Sequence, residues 1–154
     1  MICGSVAELA AALAPRQRLM GLDVGAKTIG LAISDSDLTV AAALDTIRRA
    51  KFTQDAATLA GLVAERDVGG LVIGLPVSMD GTEGPAAQSV RQFGANLDAK
   101  LDVHIAFWDE RLSTSAIERF LVDEADMSRR RRAQVVDKMA ATYILQGALD
   151  SLKR

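Results

Sequence analysis

Apolar and polar positions change period twice along this chain. Leu19-Met20-Gly21-Leu22-Asp23-Val24-Gly25 is an extended apolar run interrupted by one acid. Thr28 to Ser34 alternates large and small residues, and Gly25-Ala26-Lys27 supplies the turn between the two runs. A third extended stretch, Thr39 to Arg48, follows the polar Ser34-Asp35-Ser36-Asp37. Three strands joined by short turns predict an antiparallel meander.

Helical spacing then takes over. Thr53 to Glu65 puts Ala56, Leu59, Ala60 and Val63 on one face. Gly70 to Leu75 is wholly apolar, as a strand buried on both faces should be. A loop from Pro76 to Gly84 leads to Pro85, a favoured first helical residue, and the helix beyond it turns Val90, Phe93, Gly94, Leu97 and Leu101 inward. Val103 to Trp108 reads as a fifth strand ending in Asp109-Glu110-Arg111. Ser115 and Glu118 fit a capping box for a further helix with Ile117, Phe120 and Leu121 inward. The basic run Arg129 to Arg132 precedes a last helix from about Ala133 to Leu152.

The order β-β-β-α-β-α-β-α-α predicts an α/β fold of the RNase H-like kind, a mixed five-stranded sheet with helices on both faces. That order alone names no reaction. With 154 residues, 49% hydrophobic and 25% charged, the chain suits one domain, expected over residues 18–154. Residues 1–17 read as an N-terminal appendage, with Ser5 to Ala14 a short Ala/Leu helix ended by Pro15. Glu8 and the lack of a basic leader argue against a signal peptide there.

A net charge of −2 means that the molecule as a whole does not attract nucleic acid, so phosphate contact requires a local patch. A single cysteine, Cys3, excludes a disulfide framework and a cysteine-rich zinc site, and it fits a reducing, cytoplasmic setting. No apolar run approaches the roughly 20 residues that span a bilayer. His104, the only histidine, sits within a strand and reads as packing. Gly21 to Thr28 nearly spells a P-loop, but Ala26 replaces its last glycine and a strand follows where a helix should open. Actin-like nucleotide binders also begin with an Asp-x-Gly hairpin, yet they need a duplicated domain and this chain is too short for one.

Three acids stand in apolar places. Asp23 lies between Leu22 and Val24 in a strand expected at the middle of the sheet. A carboxylate buried there costs several kcal/mol unless it is paired or binds a cation. The plain alternative is a structural bond to backbone or to Lys27. Asp137 heads the stripe Ala140, Ala141, Ile144, Leu145 and Ala148 that must face the sheet, although the helix dipole or the preceding arginines also account for it. Asp109 and Glu110 end an interior strand; only one of them can face the other acids, and alternation alone leaves open which. Converging carboxylates repel, and a divalent cation is the usual remedy. Mg²⁺ or Mn²⁺ held by such a cluster suits hydrolysis of a phosphodiester.

Four segments together resemble one family. They are Gly21-Leu22-Asp23-Val24-Gly25-Ala26-Lys27-Thr28-Ile29-Gly30, Gly74-Leu75-Pro76 with Met79-Asp80-Gly81, Asp109-Glu110-Arg111-Leu112-Ser113-Thr114, and Asp137 before Ala140-Ala141. The chain from about Leu19 onward resembles the YqgF family, also called RuvX, of Holliday-junction-resolvase-like nucleases assigned to pre-16S ribosomal RNA processing. That resemblance implies an RNase H-like fold related to the RuvC resolvases and a cytoplasmic enzyme acting on the 5′ end of 16S ribosomal RNA. It also implies Asp23, Glu110 and Asp137 as the catalytic, metal-binding acids, and it alone prefers Glu110 to Asp109. Where the family usually has Lys-Arg after the first glycine loop, this chain has Lys27-Thr28, which removes one possible phosphate contact.

Candidate substrate contacts surround the acids. Lys27 follows Asp23 in the turn, Arg111 suits a bidentate phosphate clamp, and Thr114 offers a hydroxyl. Arg129, Arg130, Arg131 and Arg132 form the densest positive run, shortly before Asp137. Each has a plainer reading: an exposed turn, an ion pair with Asp109 or Glu110, a helix cap, and a solvated loop. Aromatic residues make up only 4% of the chain, which favours recognition by shape and phosphates over base stacking. The expected partner is nucleic acid, with pre-16S ribosomal RNA ahead of branched DNA, alone or within ribosomal precursor particles. The protein itself is expected to be a monomer or weak homodimer. A non-catalytic RNA-binding assembly factor is the competing class.

Overall fold

Strands β1 (Arg18–Val24), β2 (Thr28–Ser34) and β3 (Ala41–Arg48) pair antiparallel in sequence order, the meander that their short turns require. Helix α2 (Phe52–Glu65) crosses to β4 (Val68–Leu75), which pairs parallel with β1. Helix α3 (Pro85–Lys100) crosses to β5 (His104–Asp109), parallel with β4. The sheet order β3-β2-β1-β4-β5 places β1 at the centre. A short helix α1 (Val6–Ala11) precedes the sheet, a single 3-10 turn (Glu110–Leu112) follows β5, and α4 (Arg129–Ser151) ends the chain. The computed structural model describes residues 1–112 and 129–153, with the side chains of α4 described from Met139 onward. The expected helix around Ser115 to Leu121 lies outside the described residues.

Alternation along the strands builds two cores. Met20, Leu22, Leu31, Leu71, Ile73 and Ile105 face one way, against Ala56 and Leu59 of α2 and Val90, Phe93 and Leu97 of α3. Leu19, Ala32, Val72 and Ala106 face the other way, against Ala141, Ile144, Leu145 and Ala148 of α4. All eight residues of β4 are buried, which its unbroken apolar sequence foretold. The stripe expected on the last helix is the stripe that is buried: Ala140, Ala141, Ile144, Leu145 and Ala148.

Two expectations shift. The third strand begins at Ala41 rather than Thr39, because the Asp35 carboxylate accepts the N–H groups of Thr39 and Val40 and holds them in the turn. The basic run Arg129 to Arg132 lies inside α4 instead of in a loop before it. Arginine is a strong helix former and nothing in that run interrupts the helix. Residues 1–17 pack against the sheet: Ser5 caps α1, Leu9 is fully buried, and Ile2 bridges Ile105 beside β5. The helix falls where the sequence put it, but its apolar face completes the α4-side core.

Candidate active site

The parity of the strands decides which acids can meet. Asp23 follows Leu19 and Gly21 at intervals of two and so shares the α4 side of the sheet. In β5, Ala106 packs on that side while Ile105 and Phe107 pack on the other. Asp109 follows Phe107 in parity and turns away; Glu110 opens the 3-10 turn and comes back to the Asp23 side. The alternative that the sequence left open thus closes on Glu110.

Asp23 and Glu110 are in direct contact, their carboxyl groups joined by a hydrogen bond. Burial, then the neighbouring charge and hydrogen bond of Asp23, and last the charge of Asp109 push the Glu110 carboxyl up to about 7. Asp23 is half-buried rather than fully enclosed, because it lies one residue from the end of β1 where the sheet opens to solvent. Charge here is costly but not prohibitive.

Two glycines make room for this geometry. A Cβ on Gly74 would lie 2.8 Å from Glu110 Oε1 and would also strike Ile144 Cδ1, so the bare backbone of β4 forms the floor beneath Glu110. A Cβ on Gly21 would lie 2.8 Å from Leu145 Cβ and 3.0 Å from the Ala141 carbonyl oxygen. Helix α4 therefore rests directly on β1 two residues before Asp23. Asp137 belongs to α4, one helical turn before Ala141, while its side chain lies outside the described residues. Among the described residues no group of three metal-ligating side chains forms, and Asp23 with Glu110 supplies two. Two hard carboxylate donors, one of them raised first by burial and then by the charge of the other, fit Mg²⁺ or Mn²⁺.

The candidate substrate contacts divide. Lys27 is exposed in the turn directly after β1. Arg111 is engaged rather than free: its guanidinium grips the Asp109 carboxylate, with Nη2 to Oδ2 at 2.6 Å, and Nη1 donates to the Ser78 carbonyl at 3.3 Å. The plainer ion-pair reading describes it, and the pair fastens the 76–84 loop to the end of β5. That loop carries its own bonds: Asp80 accepts from the Thr82 N–H and hydroxyl, and Glu83 pairs with Arg91. Thr114 lies outside the described residues. Arg129, Arg130, Arg131 and Arg132 occupy the first turn of α4, two turns before Asp137.

Sequence reasoning missed Arg49. At the end of β3, its Nη1 donates to the Gly25 carbonyl at 2.6 Å and its backbone N–H donates to Lys27 O at 2.8 Å, while its guanidinium lies 5.2 Å from the Phe93 ring centre. It thereby pins the turn that follows Asp23. The strand pattern foretold the end of β3, but nothing local pointed across to the glycine turn.

A protein 65% identical over 145 residues, covering 94% of this chain and 93% of its own, is the "Putative pre-16S rRNA nuclease" of Paramagnetospirillum magneticum. One of the same name from Roseobacter denitrificans is 57% identical over 155 residues, covering 99% of this chain and 94% of its own. Among solved structures, Thermus thermophilus RuvC in complex with a Holliday junction substrate superposes with a TM-score of 0.54 at 9% identity, over 89% of this chain and 96% of that one. At that identity the likeness speaks for the fold alone, which is the RNase H-like one. The family model described as "RuvX: Holliday junction resolvase" matches residues 17–151, and the chain belongs to the RuvX family.

Proposed function

We propose that this chain is a metal-dependent nuclease that hydrolyses phosphodiester bonds in structured nucleic acid, its substrate being the 5′ region of precursor 16S ribosomal RNA. The observation that carries this reading is the contact between the Asp23 and Glu110 carboxyl groups at the open end of the central strand. Such pairs are costly in an inert protein and useful in one that binds a divalent ion. The shared name of relatives that cover nearly the whole chain supports the RNA substrate.

In this reading Asp23, Glu110 and Asp137 hold Mg²⁺ or Mn²⁺, which when bound supplies Lewis acidity and stabilises charge on the leaving oxygen. The protein's own part is to position the acids: Asp23 on the central strand, Glu110 over the Gly74 floor, and the helix that carries Asp137 by its packing on Gly21. Lys27 and the arginines of the first turn of α4 hold the flanking phosphates, and Thr114 is assigned to the substrate side. Arg111 reaches a phosphate only by leaving Asp109. Among the described residues no helix is long and apolar enough to cross a membrane. The proposed setting is the cytoplasm, on precursor RNA free or in ribosomal particles, with the protein a monomer or weak homodimer.

The test compares wild type with Asp23→Asn on a defined precursor 16S RNA and on a four-way DNA junction, each with added Mg²⁺ or Mn²⁺. RNA cleavage that the folded variant lacks supports the proposal. Cleavage confined to the DNA junction makes the protein a resolvase. An Asp23→Asn variant that cuts as wild type does removes the proposed site. If neither protein cuts and the variant still complements a strain lacking the wild type, the protein is a non-catalytic assembly factor.

A further inference from the structure

Tertiary structure gathers a basic surface that the sequence scatters. Lys27 stands in the β1–β2 turn, while Arg48, Arg49 and Lys51 lie more than twenty residues later at the end of β3 and the start of α2. The sheet register sets Arg48 opposite Thr28, and the Arg49 N–H donates to Lys27 O. The four cations therefore share one corner at the end of β1 where Asp23 lies. Lys27, Arg48 and Lys51 are exposed. None of the four forms an ion pair among the described residues. The nearby acid Asp55 is buried at 3% exposure and turned inward, where its Oδ1 accepts the Ala50 N–H at 3.1 Å. In a chain of net charge −2, such a corner is a concentrated positive field.

We infer that the β1–β2 turn and the β3–α2 loop form a phosphate-binding surface, in which Arg48 and Lys51 join Lys27 to hold the substrate strand on the β3 side of the acids. This rests on the nucleic-acid substrate proposed above and extends it by a second contact region. Arg49 contributes differently: tied to Gly25 and laid on Phe93, it keeps the turn in place so that the exposed cations hold a fixed spacing. Together with the α4 arginines proposed above, the surface gives the strand a second basic region. A backbone held at two places is read by shape and charge, in keeping with the scarcity of aromatic residues.

The experiment measures binding of a single-stranded precursor 16S RNA fragment without divalent metal, so that cleavage does not enter, across a series of salt concentrations. In the Arg48→Ala, Lys51→Ala double variant, affinity at low salt should fall. The slope of log affinity against log salt should flatten by about 0.7 for each phosphate that the variant no longer neutralises. The charge-keeping pair Arg48→Lys, Lys51→Arg should retain the wild-type slope, and Lys100→Ala with Lys153→Ala should leave it unchanged at the same net charge. A double variant with wild-type slope and affinity overturns the inference, and so does an equal fall in the Lys100, Lys153 control. Wild-type protein that binds with the expected slopes yet never cuts when metal is added counts against the nuclease reading alone.

Discussion

Asp23 and Glu110 hydrogen-bond through their carboxyl groups although 86 residues separate them in the chain, and Glu110 keeps its proton to about pH 7 as a result of burial and that contact. In the unfolded chain the same group releases its proton near 4.5. Between those values the folded protein binds more protons than the unfolded one, so raising the pH favours unfolding. The stabilising contribution is fully present below about 4.5 and gone above about 7. Glu110→Gln should therefore gain stability over wild type as pH rises from 5 to 8, in melts without divalent metal. Added Mg²⁺ should recover wild-type stability more at pH 8 than at pH 5, because metal binding needs the deprotonated pair. Parallel melting curves for the two proteins at all pH values would show that the contact is not felt.

Gly74→Ala should damage the site more than its small size suggests. The added methyl strikes Ile144 and lies 2.8 Å from Glu110 Oε1, so the side chains of Ile144 and Glu110 must shift. Overpacking of this kind costs about 1–3 kcal/mol. In Gly61→Ala the new methyl meets nothing within 4 Å on α2 and should gain about 0.5–1 kcal/mol by restricting the unfolded chain. Denaturant unfolding of the two variants gives the contrast, and cleavage by Gly74→Ala should fall further than its stability explains.

Arg111→Ala should loosen the 76–84 loop while leaving the fold intact. The pair with Asp109 is partly exposed, so its removal changes global stability by less than about 1 kcal/mol. The carbonyls of Ser78 and Met79 lose their guanidinium donor, and limited proteolysis should accelerate within that loop. The Asp109 carboxyl, held below its usual range chiefly by this arginine, should return toward it. Unchanged proteolysis would mean that Asp80 and the Glu83–Arg91 pair hold the loop unaided.

Leu9→Ala tests whether the first helix belongs to the domain. Leu9 is fully buried in the core shared with α4. Its truncation should cost about 2–5 kcal/mol, the range for a buried leucine. A change under about 0.5 kcal/mol, the scale of an ordinary surface substitution, would return residues 1–17 to the status of an appendage.

Much of this molecule is written locally. The apolar run of β1, the alternation of large and small residues in β2, the unbroken apolar β4, Pro85 at the head of α3 and the stripe from Ala140 to Ala148 each follow from residues within one element, because pleat and helix geometry act over a few positions. The same locality exposed Asp23 as an acid among apolar neighbours. Other features depend on distance in the chain. Glu110 is separated from Asp109 by strand parity and the 3-10 turn, and Arg49 reaches Gly25 only through the register of β2 with β3. Lys27 and Arg48 come to one end of the sheet for the same reason, and α1 finds its core only once α4 lies across the sheet. Sequence thus determined the elements and their order, since those arise from short-range sterics and hydrophobic spacing. Tertiary structure decided which charges became neighbours, because that is set by how the strands pair and how the helices pack upon them.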